Sequence, residues 1–165
     1  MSEISIEIAR AGDEGVLLQL IRGLADYERL LPDVVTTEEL LRQHLFGARP
    51  SAEALLARVQ GEPVGFALYF TNFSTFLGRP GLYLEDLFVL PEHRGRGYGA
   101  RLFRCVAQIA VERECGRMEW SVLDWNEPAL DFYRRMGAQP MSEWTVQRLT
   151  GEALRQAASG GAAKG

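Results

Sequence analysis

The sequence predicts a mixed α/β domain, one sheet covered by helices on both faces. Three observations lead there. Stretches with apolar residues at alternate positions are interleaved with stretches whose apolar residues recur at helical spacing. Two strands of the second half pass directly into helices, over residues 82–110 and 117–136, as crossover connections do. The first half carries a hairpin signal, Gln60-Gly61-Glu62-Pro63 between two apolar runs.

The elements are taken in chain order. Residues 5–10 alternate Ile6 and Ile8 with polar neighbours and form a short first strand. Gly12 and Asp13 open a helix in which Val16, Leu17, Leu20, Ile21, Leu24 and Ala25 make one buried stripe, ending near residues 28–30 before Pro32. Thr36 followed by Glu39 is a capping-box pattern for a second helix through Leu40, Leu41, Leu45 and Phe46, stopped by Gly47 and Pro50. Residues 52–59 and 64–73 are the hairpin strands. Phe66, Tyr69, Phe70, Phe73 and Phe76 crowd the second of these and the loop after it; with no basic field around them, core and dimer packing explains them better than base stacking. That loop, over 74–80, leads to a central strand over 82–90, ended by Pro91. Leu102, Phe103, Val106, Ile109 and Ala110 mark a helix over 97–114, with Gly116 at its end. Met118, Trp120 and Val122 alternate with Glu119 and Ser121, a strand over 117–123. Asn126 as N-cap, Pro128 in the first turn and Gly137 past the last turn bound a helix over 127–136. Residues 143–149 read as a final strand. The Ala/Gly-rich residues 155–165 read as a flexible tail, so one domain is expected over 1–154.

Composition narrows the function classes. With 47% apolar and 24% charged residues, the chain has the make-up of an ordinary globular domain. Its net charge of -4 argues against nonspecific nucleic-acid binding and is compatible with a cationic small substrate. Cys105 and Cys115 form no C-x-x-C pair, and His44 and His93 are isolated, with His93 expected at a solvent-facing rim, so no metal is expected. No stretch approaches about twenty apolar residues, and no basic region followed by an apolar run opens the chain. Neither a membrane span nor secretion is expected, and the cytoplasm is the default compartment.

Residues 83–100, Y-L-E-D-L-F-V-L-P-E-H-R-G-R-G-Y-G-A, organise the rest. A strand gives way to a turn with glycines at 95, 97 and 99, and then to a helix start. Glycines let a ligand lie against the backbone, while the helix start offers unpaired NH groups and a partial positive charge. An anion, above all a phosphate, suits that place, with Arg94 and Arg96 as mobile cations at its rim. The spacing is not G-x-G-x-x-G, and no Gly-Lys-Ser/Thr comes after it, so neither a dinucleotide fingerprint nor a P-loop is present.

Arg94-Gly95-Arg96-Gly97-Tyr98-Gly99, as R-x-x-G-x-G, resembles the acetyl-CoA pyrophosphate loop of the GNAT superfamily of N-acetyltransferases. Tyr83-Leu84-Glu85-Asp86 with Leu87-Phe88-Val89, then Trp125-Asn126-Glu127-Pro128, then the segment from Asp131 to Ala138, and Leu24-Ala25-Asp26-Tyr27-Glu28 resemble its spermidine/spermine branch, which includes thialysine and diamine acetyltransferases.

The resemblance implies a mostly antiparallel mixed sheet of about seven strands, with two parallel central strands splayed apart to admit the pantetheine arm of acetyl-CoA. It implies that Leu87, Phe88 and Val89 offer main chain to that arm. Arg94, Gly95, Arg96, Gly97, Tyr98, Gly99 and Ala100 would hold the pyrophosphate, and Asn126, Glu127, Pro128 and Ala129 would contact the cofactor from the next helix. A primary amine with a pKa near 10 is ammonium at pH 7 and must lose a proton before attack. Glu85 matches the family's acidic residue that contacts the amine and is the candidate base, through water. Tyr133 matches the family's tyrosine general acid, and a backbone NH near Leu87 would meet the developing oxyanion. Tyr27, Glu28, Glu85, Asp86, Glu119, Trp120 and Ser121 would line the acceptor site; Asp124 is added on charge alone. Glu119-Trp120-Ser121 and the link Leu30-Leu31-Pro32 depart from the polyamine enzymes, so the acceptor stays open among a polyamine, a diamine and a thialysine-like amino acid. A homodimer is implied. The alternatives are another acceptor, an aminoglycoside or a protein amino group, and a non-catalytic acyl-CoA sensor.

Overall fold

The computed structural model describes residues 3–160. The chain divides into two compact units, Met1–Leu123 and Asp124–Gly165. In the first unit, five strands form one sheet in chain order, β1 (Ile4–Ile8), β2 (Glu53–Val59), β3 (Glu62–Ser74), β4 (Arg79–Val89) and β5 (Arg117–Glu119). β1 to β4 are antiparallel neighbours, and β5 joins β4 in parallel. The mixed sheet with mostly antiparallel pairing agrees with the sequence reading. The strand number, five among the described residues, is below the expected seven or so.

Helices α1 (Glu14–Tyr27) and α2 (Glu38–Phe46) cover one face. Leu17, Leu20, Leu41 and Leu45 pack there with Ala54, Leu56, Phe66 and Phe88 from the sheet. The cap of α2 is Thr37, whose Oγ1 accepts from Leu40 N at 3.2 Å, one residue after the expected Thr36. The opposite face carries Leu55, Ala67, Tyr69, Leu82 and Leu84, all buried. α3 (Tyr98–Glu112) lies on that side and buries Leu102, Phe103, Val106 and Ala110. Its end is fastened by Arg113, which donates to both oxygens of Glu53 at 2.6 and 2.8 Å and lies 5.9 Å from the Tyr69 ring.

The second unit contains α4 (Glu127–Arg135) and α5 (Gly151–Ala158). Two expectations fail here. Residues 143–149 form no strand; Trp144 and Val146 are each 76% exposed. Alternation is a local property, whereas a strand needs a neighbouring edge to satisfy its backbone. Residues 155–158, expected in a loose tail, are helical instead. Alanines favour helix intrinsically, and the Glu152–Arg155 ion pair at 3.0 Å spans one turn of α5. The rest of that tail from 161 onward lies outside the described residues.

Candidate active site

The site runs along the outer edge of β4. β5 accompanies β4 only through Gly81↔Arg117, Leu82↔Met118 and Tyr83↔Glu119, so the strand expected over 117–123 stops at Glu119. From residue 84 to 89, β4 is paired with β3 alone. The facing edge has no strand partner among the described residues, and an open edge of this kind is a template for an extended ligand. Of Leu87, Phe88 and Val89, the residues expected to offer main chain, Leu87 and Val89 turn theirs to this edge, because Leu90 N donates to Val64 O and alternate residues of an antiparallel strand face opposite sides. The Phe88 side chain turns into the core and its main chain faces β3, so this residue offers the open edge neither.

A bulge accounts for the divergence. Pairing passes from Tyr69↔Leu84 to Leu68↔Asp86, which leaves Glu85 as an extra residue in β4. Bulges bend a strand and increase its local twist, and this one sits two residues beyond the last β4–β5 pair. It also decides where each carboxylate points. Strict alternation after Leu84 would put Asp86 on the α3 face. With the extra residue, Asp86 shares the α1 face with Phe88, half-buried, and Glu85 is exposed.

Burial pushes the Asp86 carboxyl up to about 7, and the charges of Glu85 and Glu28 add to the shift. Glu28, the residue that caps the C-terminus of α1, is itself raised by burial. Glu28, Glu85 and Asp86 therefore form one interacting acidic group. Glu119 pairs with Arg117 at 2.9 Å, Trp120 packs edge-on against Phe103 with centroids 5.3 Å apart, and Ser121 Oγ lies 2.9 Å from the Tyr83 hydroxyl. These three candidate acceptor residues thus have partners within their own unit.

Beyond β4, a 3-10 turn (Pro91–His93) leads into the glycines. The Nδ1 of His93 is buried without a hydrogen-bond partner, so this ring does not lie freely at a rim. Gly95 and Gly97 have φ of 73° and 78°, the left-handed region that side chains resist, and a Cβ on either would meet nothing within 4 Å. Gly99 has no such φ, and its Cβ would make an ordinary contact with Val89. The NH groups of Tyr98, Gly99 and Ala100 begin α3, where intrahelical acceptors are lacking. The Tyr98 side chain is buried, which leaves its backbone for a ligand.

Arg94 and Arg96 are both exposed, as expected of cations at a rim, but Arg94 also has fixed partners. Its Nε donates to Val89 O at 3.0 Å, and its guanidinium carbon lies 4.4 Å from the Tyr27 ring centroid and 5.4 Å from that of Phe88. Sequence spacing carries no sign of this contact, because Tyr27 and Arg94 meet only when α1 packs on the sheet.

In the second unit, Asn126 Oδ1 accepts from Ala129 N at 3.4 Å and caps α4, with Pro128 in the first turn. This matches the sequence reading of Asn126, Glu127, Pro128 and Ala129 as a helix start. Tyr133 lies on the same helix, half-buried, its ring edge-on to Phe132 with centroids 5.3 Å apart. Asp124 belongs to this unit as well. Among the described residues, no group of three His, Cys, Asp or Glu could hold a metal ion, and no helix is long and apolar enough to cross a membrane.

Comparison with known proteins gives concordant results. The profile of the acetyltransferase (GNAT) family matches residues 21–138. A thialysine N-epsilon-acetyltransferase of Bos taurus is 41% identical over 96% of this chain and 99% of its own. The spermidine/spermine N(1)-acetyltransferase-like protein 1 of Homo sapiens is 34% identical over 93% of this chain and 24% of its own. Among solved structures, an integron cassette protein of V. cholerae superimposes with a TM-score of 0.79 and 27% identity, over 96% of this chain and 98% of the other.

Proposed function

The chain belongs to the acetyltransferase (GNAT) family and is an acetyltransferase, and from that premise we propose that it acetylates a primary amine of a small molecule, using acetyl-CoA. The acceptor is a polyamine, a diamine or a thialysine-like amino acid. The family match crosses from one unit into the other, which supports reading residues 1–154 as one catalytic domain. We read the active form as a cytoplasmic homodimer, on family resemblance.

The residues present fit acetyl-CoA. The open β4 edge at Leu87 and Val89 suits an extended pantetheine arm, while Phe88 between them faces β3, and the NH groups from Gly95 to Ala100, with Arg94 and Arg96, suit a pyrophosphate. Asn126, Glu127, Pro128 and Ala129 are assigned to the same ligand by resemblance. Acetyl-CoA supplies an activated acetyl thioester. The protein's own residues bind the amine, take a proton from it and return one to the departing sulfur.

The observation that carries the acceptor assignment is the inward-turned, raised Asp86 beside Glu28 and Glu85. An acidic group favours ammonium ligands, and a diamine or a terminal-amine amino acid brings one. Glu85 is the assigned base, acting through water. A second assignment has its own support: the Asp86 carboxyl near 7 is matched to a base working at neutral pH. Proton transfer from an amine of pKa ~10.4 to a group near 7 is uphill by roughly 5 kcal/mol, against roughly 9 for an unshifted aspartate. The general acid is Tyr133, whose phenol can protonate the leaving thiolate.

CoA release from acetyl-CoA, measured with spermidine, putrescine, thialysine, lysine, an aminoglycoside and a basic peptide, tests the proposal. Selective turnover of one of the first three supports it. Turnover of the aminoglycoside or the peptide alone overturns the acceptor class.

A further inference from the structure

Arg94 is held in an unusual way for a residue assigned to an anion. Its Nε is spent on Val89 O at the end of the open edge, and its planar face is covered by the Tyr27 ring at 4.4 Å, with Phe88 a second aromatic neighbour. The donors left over are those of the two terminal nitrogens. A guanidinium fixed by one nitrogen and one face presents its remaining fork in a defined direction, and a fork matches a phosphate best when it is pre-organised. Tyr27 is the last residue of α1, and the next, Glu28, acts on the Asp86 carboxyl. One short segment therefore touches the anion-binding arginine with one side chain and the acidic group with the next.

We infer that Tyr27 is a positioning residue for the cofactor: its ring is the platform that orients Arg94 toward the acetyl-CoA pyrophosphate. This rests on the acetyl-CoA reading above and changes the part of Tyr27, which resemblance alone placed against the acceptor. The ring face, rather than the hydroxyl, carries the role, because cation–π attraction comes from the ring quadrupole.

The test is calorimetric binding of CoA, without turnover, to the full chain and its variants. Tyr27→Leu should weaken CoA binding about 3- to 10-fold, the range expected for loss of a partly exposed cation–π contact. Tyr27→Phe and Tyr27→Trp, which keep an aromatic face, should stay within about 2-fold of wild type. In an Arg94→Ala background, Tyr27→Leu should add less than about 2-fold, since the platform then has nothing to orient. The inference is overturned if Tyr27→Leu leaves CoA affinity unchanged and raises only the amine KM, if Tyr27→Phe is as impaired as Tyr27→Leu, or if the Leu effect persists without Arg94. A wild-type chain that bound no CoA would instead overturn the acetyl-CoA reading on which the inference stands.

Discussion

Asp86→Asn should make the protein more stable at pH 8 and less active. The Asp86 carboxyl lies at about 7 in the fold against 3.8 for an ordinary aspartate, chiefly because burial penalises its charged form. A raised carboxyl keeps its stabilising contribution below the unfolded value, and the contribution is lost as pH rises through the folded one. Between about pH 4 and 7 the native chain holds a proton at this site that the unfolded chain has released, so stability falls with pH. Three units at 1.36 kcal/mol each set an upper bound of about 4 kcal/mol. Asp86 is half-buried, and residual solvent reduces this to roughly 2 kcal/mol. Urea unfolding of wild type and Asp86→Asn at pH 4 and pH 8 measures the difference directly, and comparing the two proteins cancels every other titrating group. The variant should gain roughly 2 kcal/mol on wild type between the two pH values, while kcat/KM for the amine falls. A stability gap that is the same at both pH values would refute the argument that the fold holds this carboxyl against ionisation.

Further outcomes test the remaining roles. Tyr133→Phe should lower kcat by about 10²-fold or more, the usual contribution of a positioned general acid, and leave calorimetric CoA affinity unchanged. If Glu85 is the base, Glu85→Gln should lower kcat/KM for the amine by about 10²-fold or more; an unchanged kcat/KM would transfer that role to Asp86. Gly97→Ala should cost about 1 kcal/mol in urea unfolding, because φ of 78° forces an L residue into the left-handed region. Gly99→Ala should be near neutral by the same measurement, since its backbone needs no glycine and its Cβ would lie 3.9 Å from Val89.

Local chemistry was legible from the residues themselves. The helical stripe of Leu17 and Leu20, the Asn126 cap, the hairpin at Gly61 and the glycine turn before α3 are written within a few residues of where they act, and each formed where it was expected. The R-x-x-G-x-G turn and the Glu85-Asp86 pair located the candidate site for the same reason. Periodicity cannot state which edge a strand will meet. Residues 117–123 and 143–149 both open with alternating apolar and polar residues, yet three residues of the first join β4 and none of the second forms a ladder. Nor can it place an inserted residue: the bulge at Glu85 exists because β3 and β4 pair out of step, and that one residue turns Asp86 rather than Glu85 toward α1. The stacking of Tyr27 on Arg94, 67 positions apart in the chain, likewise arises only from packing α1 against the sheet. The sequence by itself determined the elements and the chemical groups they carry, because caps, turns and helix stripes depend on neighbours along the chain. Tertiary structure alone decided which carboxylate is desolvated, where β4 is left open and which arginine is held still, because desolvation, strand pairing and ring stacking depend on neighbours in space.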